Sequence, residues 1–583
     1  MAHFCQFSSD NSDGQKYLGF MDHVQLLNQV RSKENIQLAF QYALNDRIYN
    51  DSYFEHFEID YIIKHRDRII EEILEELKSP KHFNVRVAYA YYLPKNDLCY
   101  RRMVYIPFKD LTIRYAFVIV LANYLDKSLS ERCFANRRAS GRQAKDFLLD
   151  DYYKVSVPKF RNWQKICADK YNVLIRTDIS SFYDSISHQY LIQTLAEQLS
   201  IETNTEFLQL FSKIICVPVI SYSHKTKKVQ SRQILRQGLT IGNNLEGFLA
   251  NLYLRDVDEA MQDAGVEFGR YNDDMRIFAQ DRKLARLYLL ILQEHLLTKG
   301  LNLNTSKTVI AENRKAIEKL RTKLYDEPSP SLYDPYPENE DIEYGKFLLQ
   351  KTEVQKNIDS ELDELGAEFD PESEIAEDKD AKNFCQFLKI QTLKDRRHEH
   401  IGKLETILTH WQGSSKHASW LVVQSIYYND ITNDTKTKAL EVLFKVLKSI
   451  EALSYTKYRL LHHLINLRKD NKKQQYRLIE RLKDNKKEEL KQILVELLKQ
   501  PAFELNPTAL YALRILGSSS AALENYAQMY IPKPLGDPIL NAISHVHELD
   551  ATVKSVKTES NSDSDTQVEV ETDYEPDERD EFY

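Results

Sequence analysis

The sequence predicts an α+β domain followed by an all-α region. Strand-like and helix-like patterns alternate from about residue 85 to residue 325, which is typical of a mixed α+β domain. Residues 382–535 show almost only helical spacing of apolar side chains, and an acidic, proline-containing segment separates the two parts. With 583 residues, 42% of them hydrophobic, the chain can form several folding units and is not globally disordered.

Five segments are predicted in chain order, each differing from its neighbours in apolar spacing or in charge. They are an N-terminal helical region (1–84), the α+β domain (85–325), an acidic linker or insertion (326–381), an α-helical repeat domain (382–535) and an acidic disordered tail (536–583). The repeat domain is expected to be HEAT-like or another α-solenoid. A plain helical bundle is the alternative, because no exact repeat period is found.

The net charge of -8 is distributed unevenly. Residues 326–381 contain 4 Lys or Arg against 19 Asp or Glu, and residues 551–583 contain 3 against 11. The two remaining parts of the chain are therefore mildly basic. This pattern is compatible with a polyanionic partner.

Cysteine usage and the terminal segment predict a cytoplasmic protein with no membrane partner. The six cysteines form no CxxC pair, which argues against a zinc site of the usual spacing and fits a reducing compartment. The N-terminus lacks the features of a signal peptide, and the longest apolar run, residues 115–125, is too short to cross a bilayer.

An apolar run ends in an acidic residue at Asp178. Residues 173–178 (VLIRTD) are predicted to form a strand, and an aromatic pair that includes Tyr183 follows. The end of a strand holds a carboxylate rigidly at a sheet edge, where it can bind a divalent cation. An aspartate at such a place is more often a turn former or a helix N-cap, so this motif decides little by itself.

Two adjacent acids, Asp273 and Asp274, lie between two strand-like runs within residues 266–280. This pattern predicts that they lie on a hairpin turn. Adjacent carboxylates repel each other unless a cation or water intervenes, and taken alone a solvated turn is the simpler interpretation. If Asp178 lies on a neighbouring strand, the three carboxylates can bind two Mg²⁺ ions.

Two further motifs lie between and after these acids. Gln237 and Gly238 begin a loop in which missing side chains permit a close approach of the backbone to a nucleotide. Residues 300–308 (GLNLNTSKT) include Lys307, whose ammonium group can neutralise phosphate charge. Alone, each motif has an ordinary structural interpretation: a loop before a core helix, and an exposed lysine.

In this order the four motifs resemble the palm of reverse transcriptases. They match the strand-Asp with FY, the QG loop, the YxDD turn and the G-L-x-L-N-x-x-K-T element, and the resemblance covers roughly residues 91–308. It implies a fingers and palm fold for residues 85–325. It also implies catalytic and metal-binding roles for Asp178, Asp273 and Asp274, with two Mg²⁺ ions or with Mn²⁺ in their place.

The resemblance also implies which residues bind the nucleotide. Tyr183 matches the position whose ring favours deoxynucleotides, and Lys109 and Arg114 lie in a segment that resembles the fingers. The nucleotide-binding candidates are Tyr183, Gln237, Gly238, Lys307, Lys109 and Arg114.

A basic segment, residues 132–176, contains 11 basic against 4 acidic residues, interleaved with aromatic rings. Such a density matches phosphate neutralisation, and the rings can stack on bases. The nucleic-acid-binding candidates are Arg137, Arg138, Arg142 and Lys145. A solvated basic face over core aromatics is the alternative.

A polymerase core followed by a long helical region resembles the bacterial abortive-infection and other defence-associated reverse transcriptases. That resemblance implies dNTPs as substrates, a DNA product, an RNA template or associated RNA, a homo-oligomer, and priming from a tyrosine that 35 candidates leave unidentified. Asn243 and Glu246 stand where many relatives have Pro and Ser, a departure that bears on template handling. Two alternatives are a conventional templated reverse transcriptase of a mobile element and a non-catalytic, nucleic-acid-binding helical scaffold.

Overall fold

The computed structural model describes residues 22–49, 56–95, 99–141, 143–150, 155–222, 229–321, 381, 384–385, 388, 398–427, 432–469, 475–500, 505–531 and 543. In chain order the α-helices of this part are α1 (His23–Val30), α2 (Lys33–Tyr49), α3 (His56–Lys64), α4 (Arg66–Leu77), α5 (Phe108–Leu125), α6 (Val157–Lys170), α7 (Phe182–Ser185), α8 (His188–Leu199), α9 (Glu206–Ile215), α10 (Glu246–Tyr253), α11 (Arg255–Asp263), α12 (Arg282–Thr298), α13 (Arg314–Arg321), α14 (His398–His410), α15 (Ser415–Tyr427), α16 (Asn433–Lys448), α17 (Ser454–Ile465), α18 (Asp484–Leu498), α19 (Leu505–Ile515) and α20 (Ser520–Tyr530). The strands are β1 (Ala88–Pro94), β2 (Tyr100–Tyr105), β3 (Val173–Asp178), β4 (Pro218–Tyr222), β5 (Val229–Ile234), β6 (Glu267–Tyr271), β7 (Asp274–Ala279), β8 (Val309–Ala311), β9 (Leu467–Lys469) and β10 (Gln475–Arg477).

A four-stranded sheet with the order β6-β7-β3-β8 carries the acidic residues singled out above. All neighbouring strands in it are antiparallel, and the register of β3 against β7 runs from the pair Val173 and Ala279 to the pair Asp178 and Asp274. Leu174 and Phe278 face a cluster formed with α6 and α13, while Ile175 and Ile277 face the main core. Burial on both faces explains why β3 is a nearly continuous apolar run.

A second sheet has the order β2-β1-β4-β5. Strand β1 is antiparallel to β2 and parallel to β4. Its side chains alternate between two cores: Ala88 and Ala90 belong to the main core, whereas Tyr89 and Tyr91 belong to a cluster shared with the C-terminal helices. The sheet therefore joins the two halves of the described chain.

Contacts between α3 and α19 extend this junction. The rings of Phe57 and Tyr511 meet edge to face with centroids 5.0 Å apart. Asp60 accepts a hydrogen bond of 3.2 Å from the Tyr511 hydroxyl and lies 3.1 Å from the Arg514 guanidinium. The C-terminal helices are thus packed against the N-terminal helical region as well as against the second sheet.

The apolar run at residues 115–125 lies in α5 and is buried almost throughout. Helix α5 packs against α1, α2 and α9, so its apolar surface belongs to the protein core. Within the part of the chain that the structure describes, no helix combines the length and apolar character that crossing a membrane requires.

The predictions of a mixed α/β core and a mostly helical C-terminal region are confirmed. One detail differs: β9 and β10 form a short antiparallel pair within residues 382–535, where helical spacing alone predicted helices. The repeat type and the exact domain boundaries stay predictions. Nearly all of the predicted acidic linker and tail lies outside the described residues.

Candidate active site

The three acidic residues converge at one edge of the first sheet. Asp178 is the last residue of β3 and lies directly opposite Asp274, the first residue of β7. Residues opposite each other in an antiparallel pair have Cα atoms about 5 Å apart. Asp273 immediately precedes Asp274 in the turn from β6, and Asn272 in that turn adopts a left-handed conformation with φ of 54°. The predicted hairpin and the predicted convergence are both confirmed.

Asp273 lies in an environment that disfavours its ionised form. Burial, followed by the negative charge of Asp178, raises the pKa of the Asp273 carboxyl to about 7. Asp178 itself is 5% exposed. A cation between these two carboxylates would relieve the repulsion, since oxygen atoms of carboxylates are the ligands that Mg²⁺ prefers.

Asp274 is turned toward two buried arginines. Arg276 donates to both of its carboxylate oxygens, at 2.5 Å and 3.0 Å, and the Nε of Arg176 lies 3.6 Å from Oδ1. The side chains of Arg176 and Arg276 are 2% and 0% exposed and lie opposite each other on β3 and β7. Consequently, no cluster of three or more His, Cys, Asp or Glu side chains in the described residues has the geometry of a metal site. Metal binding by Asp274 stays a prediction.

Lys307 contacts the first of the acids. Its Nζ lies 2.7 Å from Oδ2 of Asp178. The segment that contains it runs beside the end of β3, because the Asn304 amide donates to the Asp178 carbonyl at 2.7 Å and the Ser180 amide donates to the Asn302 carbonyl at 2.8 Å. The structure therefore brings Lys307 to the acidic cluster.

The QG loop is attached to the segment that follows β3. The Gly238 amide donates to the Ile186 carbonyl at 2.7 Å, and the Leu239 amide donates to the Tyr183 carbonyl at 2.8 Å. Gly238 has φ of 84°, and a Cβ there would meet the Asp184 carbonyl oxygen at 3.0 Å, so a side chain is excluded. Tyr183, Gln237 and Gly238 are thus brought together as predicted.

Tyr183 also lies close to the acids. Burial raises the pKa of its hydroxyl, and the negative charge of Asp273 adds to this effect. The positive charge of Arg101, on β2, acts on the same hydroxyl in the opposite direction. The ring therefore lies within electrostatic reach of both the acidic turn and the second sheet.

Asn136 holds the acidic turn from the side. Its side-chain amide donates to the Asn272 side chain, and its own backbone is left-handed with φ of 51°. The Asn136 side chain occupies this position only because residue 247 is a glycine. A Cβ on Gly247 would lie 2.2 Å from Asn136 Nδ2. Asn251 donates to the Ala135 carbonyl at 2.7 Å and secures the same loop.

Two of the nucleotide-binding candidates make contacts within the protein. Lys109 lies 2.5 Å from Glu72 and 3.4 Å from Glu76, both on α4. Arg114 is 3% exposed and donates to Glu246 at 2.6 Å and to Thr240 at 2.8 Å. These ion pairs and hydrogen bonds give both residues a structural role. Nucleotide binding by Lys109 and Arg114 stays a prediction.

The pair formed by Arg114 and Glu246 explains one departure from the family pattern. Burial raises the pKa of the Glu246 carboxyl, and Arg114 opposes that effect. A buried Glu at the start of α10 therefore requires the buried Arg on α5. The polar atoms of the Asn243 side-chain amide are also buried, and they have no hydrogen-bond partner within the described residues.

Arg137, Arg138 and Lys145 lie in the described part of the segment between α5 and α6. Arg137 donates to the Asp126 side chain at 3.1 Å and to nearby carbonyls, so it stabilises the loop itself. Arg138 and Lys145 are exposed, and Arg137 and Arg138 line an open cavity of about 650 Å³. Arg142 lies outside the described residues. Nucleic-acid binding by these four residues stays a prediction.

Sequence reasoning assigned no role to Asn136, Asn272, Arg176 or Arg276. The signal for the two arginines was present, because charged residues in the middle of apolar strands are rarely buried without a partner. The signal for Asn136 was weaker, since its contact with Gly247 joins residues far apart in the chain.

Comparisons with known proteins agree with the palm-like site. The family model described as "Reverse transcriptase (RNA-dependent DNA polymerase)" matches residues 125–344. A sequence comparison with curated proteins found no match.

Solved structures similar to this chain include two telomerases and a CRISPR-associated complex. The telomerase from Candida albicans with a fragment of telomeric RNA is 12% identical over 67% of each chain, with a TM-score of 0.33. The apo telomerase from Candida tropicalis is 13% identical over 39% of this chain and 50% of its own, with a TM-score of 0.28. A partial Cas6-RT-Cas1–Cas2 complex is 16% identical over 47% of this chain and 43% of its own, with a TM-score of 0.26.

This chain therefore spans about half the length of that Candida tropicalis structure, which is truncated from the C-terminal domain. The match to the family model covers both Asp178 and the acidic turn. The chain thus contains a reverse transcriptase domain, which the family model assigns to residues 125–344.

Proposed function

We propose that this chain is a divalent-cation-dependent DNA polymerase of reverse transcriptase type, which adds dNTPs to a DNA end by nucleotidyl transfer. The observation that carries the proposal is the pairing of Asp178 with Asp274 across β3 and β7, with Asp273 in the adjoining turn. Lys307 at 2.7 Å from Asp178 adds a cation where phosphate charge would arrive. The match of residues 125–344 to the reverse transcriptase family supports the same assignment.

The cations of this proposal are two Mg²⁺ ions, or Mn²⁺ in their place. Asp178 and Asp273 would hold them, and Asp274 completes the acidic cluster opposite Asp178. The pKa of about 7 at Asp273 is the behaviour of a buried carboxyl beside a second carboxyl, and hard cations are bound by oxygen ligands of this kind. When bound, such ions supply activation of the attacking 3′ oxygen and neutralise the departing pyrophosphate.

Other residues of the chain bind and orient the nucleotide in this proposal. The Tyr183 ring limits the space at the sugar 2′ carbon and favours deoxynucleotides. The backbone of Gln237 and Gly238 approaches the nucleotide from a loop that is packed on the backbone of Asp184. Lys307 neutralises triphosphate charge, since an ammonium group is a compact partner for phosphate oxygens.

Incorporation of labelled dNTPs by the purified protein in Mg²⁺ tests the polymerase claim. Wild-type protein should extend DNA, and Asp178→Ala and Asp273→Ala should reduce the rate by about a hundredfold or more. Asp263→Asn, at an exposed aspartate on α11, is the matched control and should leave the rate unchanged. Activity that persists in Asp273→Ala would contradict the assignment, and nucleic-acid binding without any incorporation would favour a scaffold.

We further propose that the polymerase serves bacterial antiviral defence, as a homo-oligomer that primes from one of its own tyrosines. The support is the order of domains, a polymerase core followed by helices that pack on the β1–β2 sheet. Product made from dNTPs alone and retained on the protein in SDS would support protein priming. Product made only with poly(rA) and an oligo(dT) primer would instead support the templated enzyme of a mobile element.

A further inference from the structure

His188, the first residue of α8, joins the QG loop to Cys216, the residue that directly follows α9. Its ring is 4% exposed. Nε2 lies 2.7 Å from the Gly238 carbonyl oxygen, and Nδ1 lies 3.3 Å from Sγ of Cys216. One imidazole therefore touches the predicted nucleotide loop and a thiol at the same time.

The hydrogen-bond roles of this ring follow from its partners. A carbonyl oxygen can only accept, so Nε2 carries the proton and donates it to Gly238. Burial lowers the pKa of His188, so the ring is neutral and Nδ1 keeps its lone pair. Burial raises the pKa of Cys216, so the thiol stays protonated and donates to Nδ1. The contact between Cys216 and His188 thereby fixes the tautomer that Gly238 requires.

The bond from His188 acts on the most constrained residue of the loop. Gly238 is left-handed and is packed so closely on Asp184 that a Cβ would not fit. Its amide is bonded to the Ile186 carbonyl, and the amide of the next residue is bonded to the Tyr183 carbonyl. The remaining polar group of Gly238, its carbonyl, is bonded by His188. The His188 bond is therefore one of three hydrogen bonds that hold this part of the loop in place relative to Tyr183.

We propose that His188 is a positioning residue, held by Cys216, which sets the separation between the QG loop and Tyr183 and thereby the preference for deoxynucleotides over ribonucleotides. This inference rests on the proposed function, because it assumes that the loop and Tyr183 contact the nucleotide. Cys216 is half-buried and lines a cavity of about 1170 Å³ together with Ser212, Ile234 and other residues. The residue that fixes the tautomer of His188 thus lines a cavity whose lining does not include Asp178, Asp273 or Asp274.

Two substitutions of His188 separate positioning from simple packing. His188→Gln keeps an amide donor at the reach of Nε2, whereas His188→Asn holds its donor about one bond short of Gly238. The Asn variant should raise the KM for a dNTP by about tenfold with a smaller change in kcat, and it should lower the ratio of kcat/KM for dNTP over the matching rNTP. The Gln variant should restore both quantities most of the way to wild type.

Substitutions of Cys216 test its hydrogen bond to Nδ1 of His188 while His188 itself stays unchanged. Cys216→Ser keeps a donor to Nδ1 and should behave like wild type. Cys216→Ala removes the donor and should shift the KM and the sugar preference in the same direction as His188→Asn, by a smaller factor. Thermal unfolding of each variant shows whether it is folded. Where turnover is too slow for kinetics, the equilibrium affinity for a dNTP in Ca²⁺ reports the effect of the substitution on nucleotide binding.

The outcomes separate this inference from the proposed function. If the wild-type protein incorporates dNTPs but folded His188→Asn keeps the wild-type KM and sugar preference, the positioning role is wrong and the polymerase assignment stands. The same holds if the Gln and Asn variants lose activity equally, because that result is expected of packing alone. If the wild-type protein neither binds nor incorporates dNTPs, the proposed function is wrong.

Discussion

Lys307 and Asp178 form an ion pair at the centre of the acidic cluster, with Nζ 2.7 Å from Oδ2. The lysine side chain is 25% exposed and that of the aspartate 7%, so the pair is only partly screened by solvent. An ammonium group in this position satisfies the same carboxylate that a divalent cation would bind. Cation binding at Asp178, as proposed above, would therefore release Lys307 toward incoming phosphate.

We expect Lys307→Met to bind Mn²⁺ about tenfold more tightly than wild type in the absence of nucleotide, because a competing cation is removed. The same variant should bind a dNTP more weakly, since one positive charge is lost. Calorimetry with each ligand measures both effects. Lys315→Met, at an exposed lysine on α13, is the control. Unchanged Mn²⁺ affinity in Lys307→Met would show that the ion pair does not compete.

Asp274 should matter for stability. Asp274→Asn leaves Arg176 and Arg276 buried without their carboxylate, and removing one partner of a buried ion pair costs about 3 kcal/mol or more of unfolding free energy. Urea unfolding of the variant and of Asp263→Asn compares an aspartate whose side chain is 14% exposed and paired with arginine against an exposed aspartate. Equal stability of the two variants would mean that the arginines do not depend on Asp274.

Gly247→Ala should disturb the acidic turn from a distance. The added Cβ would collide with Asn136, displace its side chain and break its bond to Asn272, at a cost of about 1–3 kcal/mol. The double variant Gly247→Ala and Asn136→Gly has no collision, but it also lacks the hydrogen bond from residue 136 to Asn272. Its stability should therefore recover, while incorporation stays slow. Gly402→Ala, in α14, meets only Lys438 Cε at 3.4 Å and is the neutral control. Full activity of Gly247→Ala would contradict this account of the turn.

Asp46 should make stability depend on pH. It accepts from the Asn244 side chain at 2.8 Å, and burial raises its pKa from 3.8 to about 6. Between these values the folded chain keeps a proton that the unfolded chain releases, so stability falls as pH rises from about 4 to about 6 and then stays level. The total effect is at most about 3 kcal/mol.

Asp46→Asn lacks this titration. Its unfolding free energy relative to wild type should therefore increase with pH across the same window and be constant above it. Urea unfolding of both proteins at several pH values measures the difference. A difference that does not change between pH 4 and pH 7 would mean that Asp46 is not protonated in the folded chain.

Local patterns were sufficient to predict the main parts of the site. The strand that ends at Asp178 is an apolar run with an acid at its end, and the turn at Asp273 lies between two β-prone runs, so both could be read within a few residues. Their order along the chain, compared with a known family, predicted that they meet.

The partners of individual side chains could not be predicted in the same way. The apolar surroundings of Arg114 indicate burial, but nothing nearby in the chain identifies Glu246, 132 residues later, as its partner. The match to the YxDD motif implies that Asp274 binds metal, whereas in the structure both of its carboxylate oxygens accept hydrogen bonds from Arg276. Such choices depend on tertiary packing, which spacing along the chain does not contain.

Equilibrium binding of Mn²⁺ to the purified protein tests the central claim most directly, because it needs neither template nor primer. Wild type and Asp263→Asn should bind Mn²⁺ with the same affinity, and Asp178→Asn and Asp273→Asn should each weaken binding by at least about tenfold. Equal Mn²⁺ affinity in all four proteins would contradict the claim that these two aspartates hold the catalytic cations.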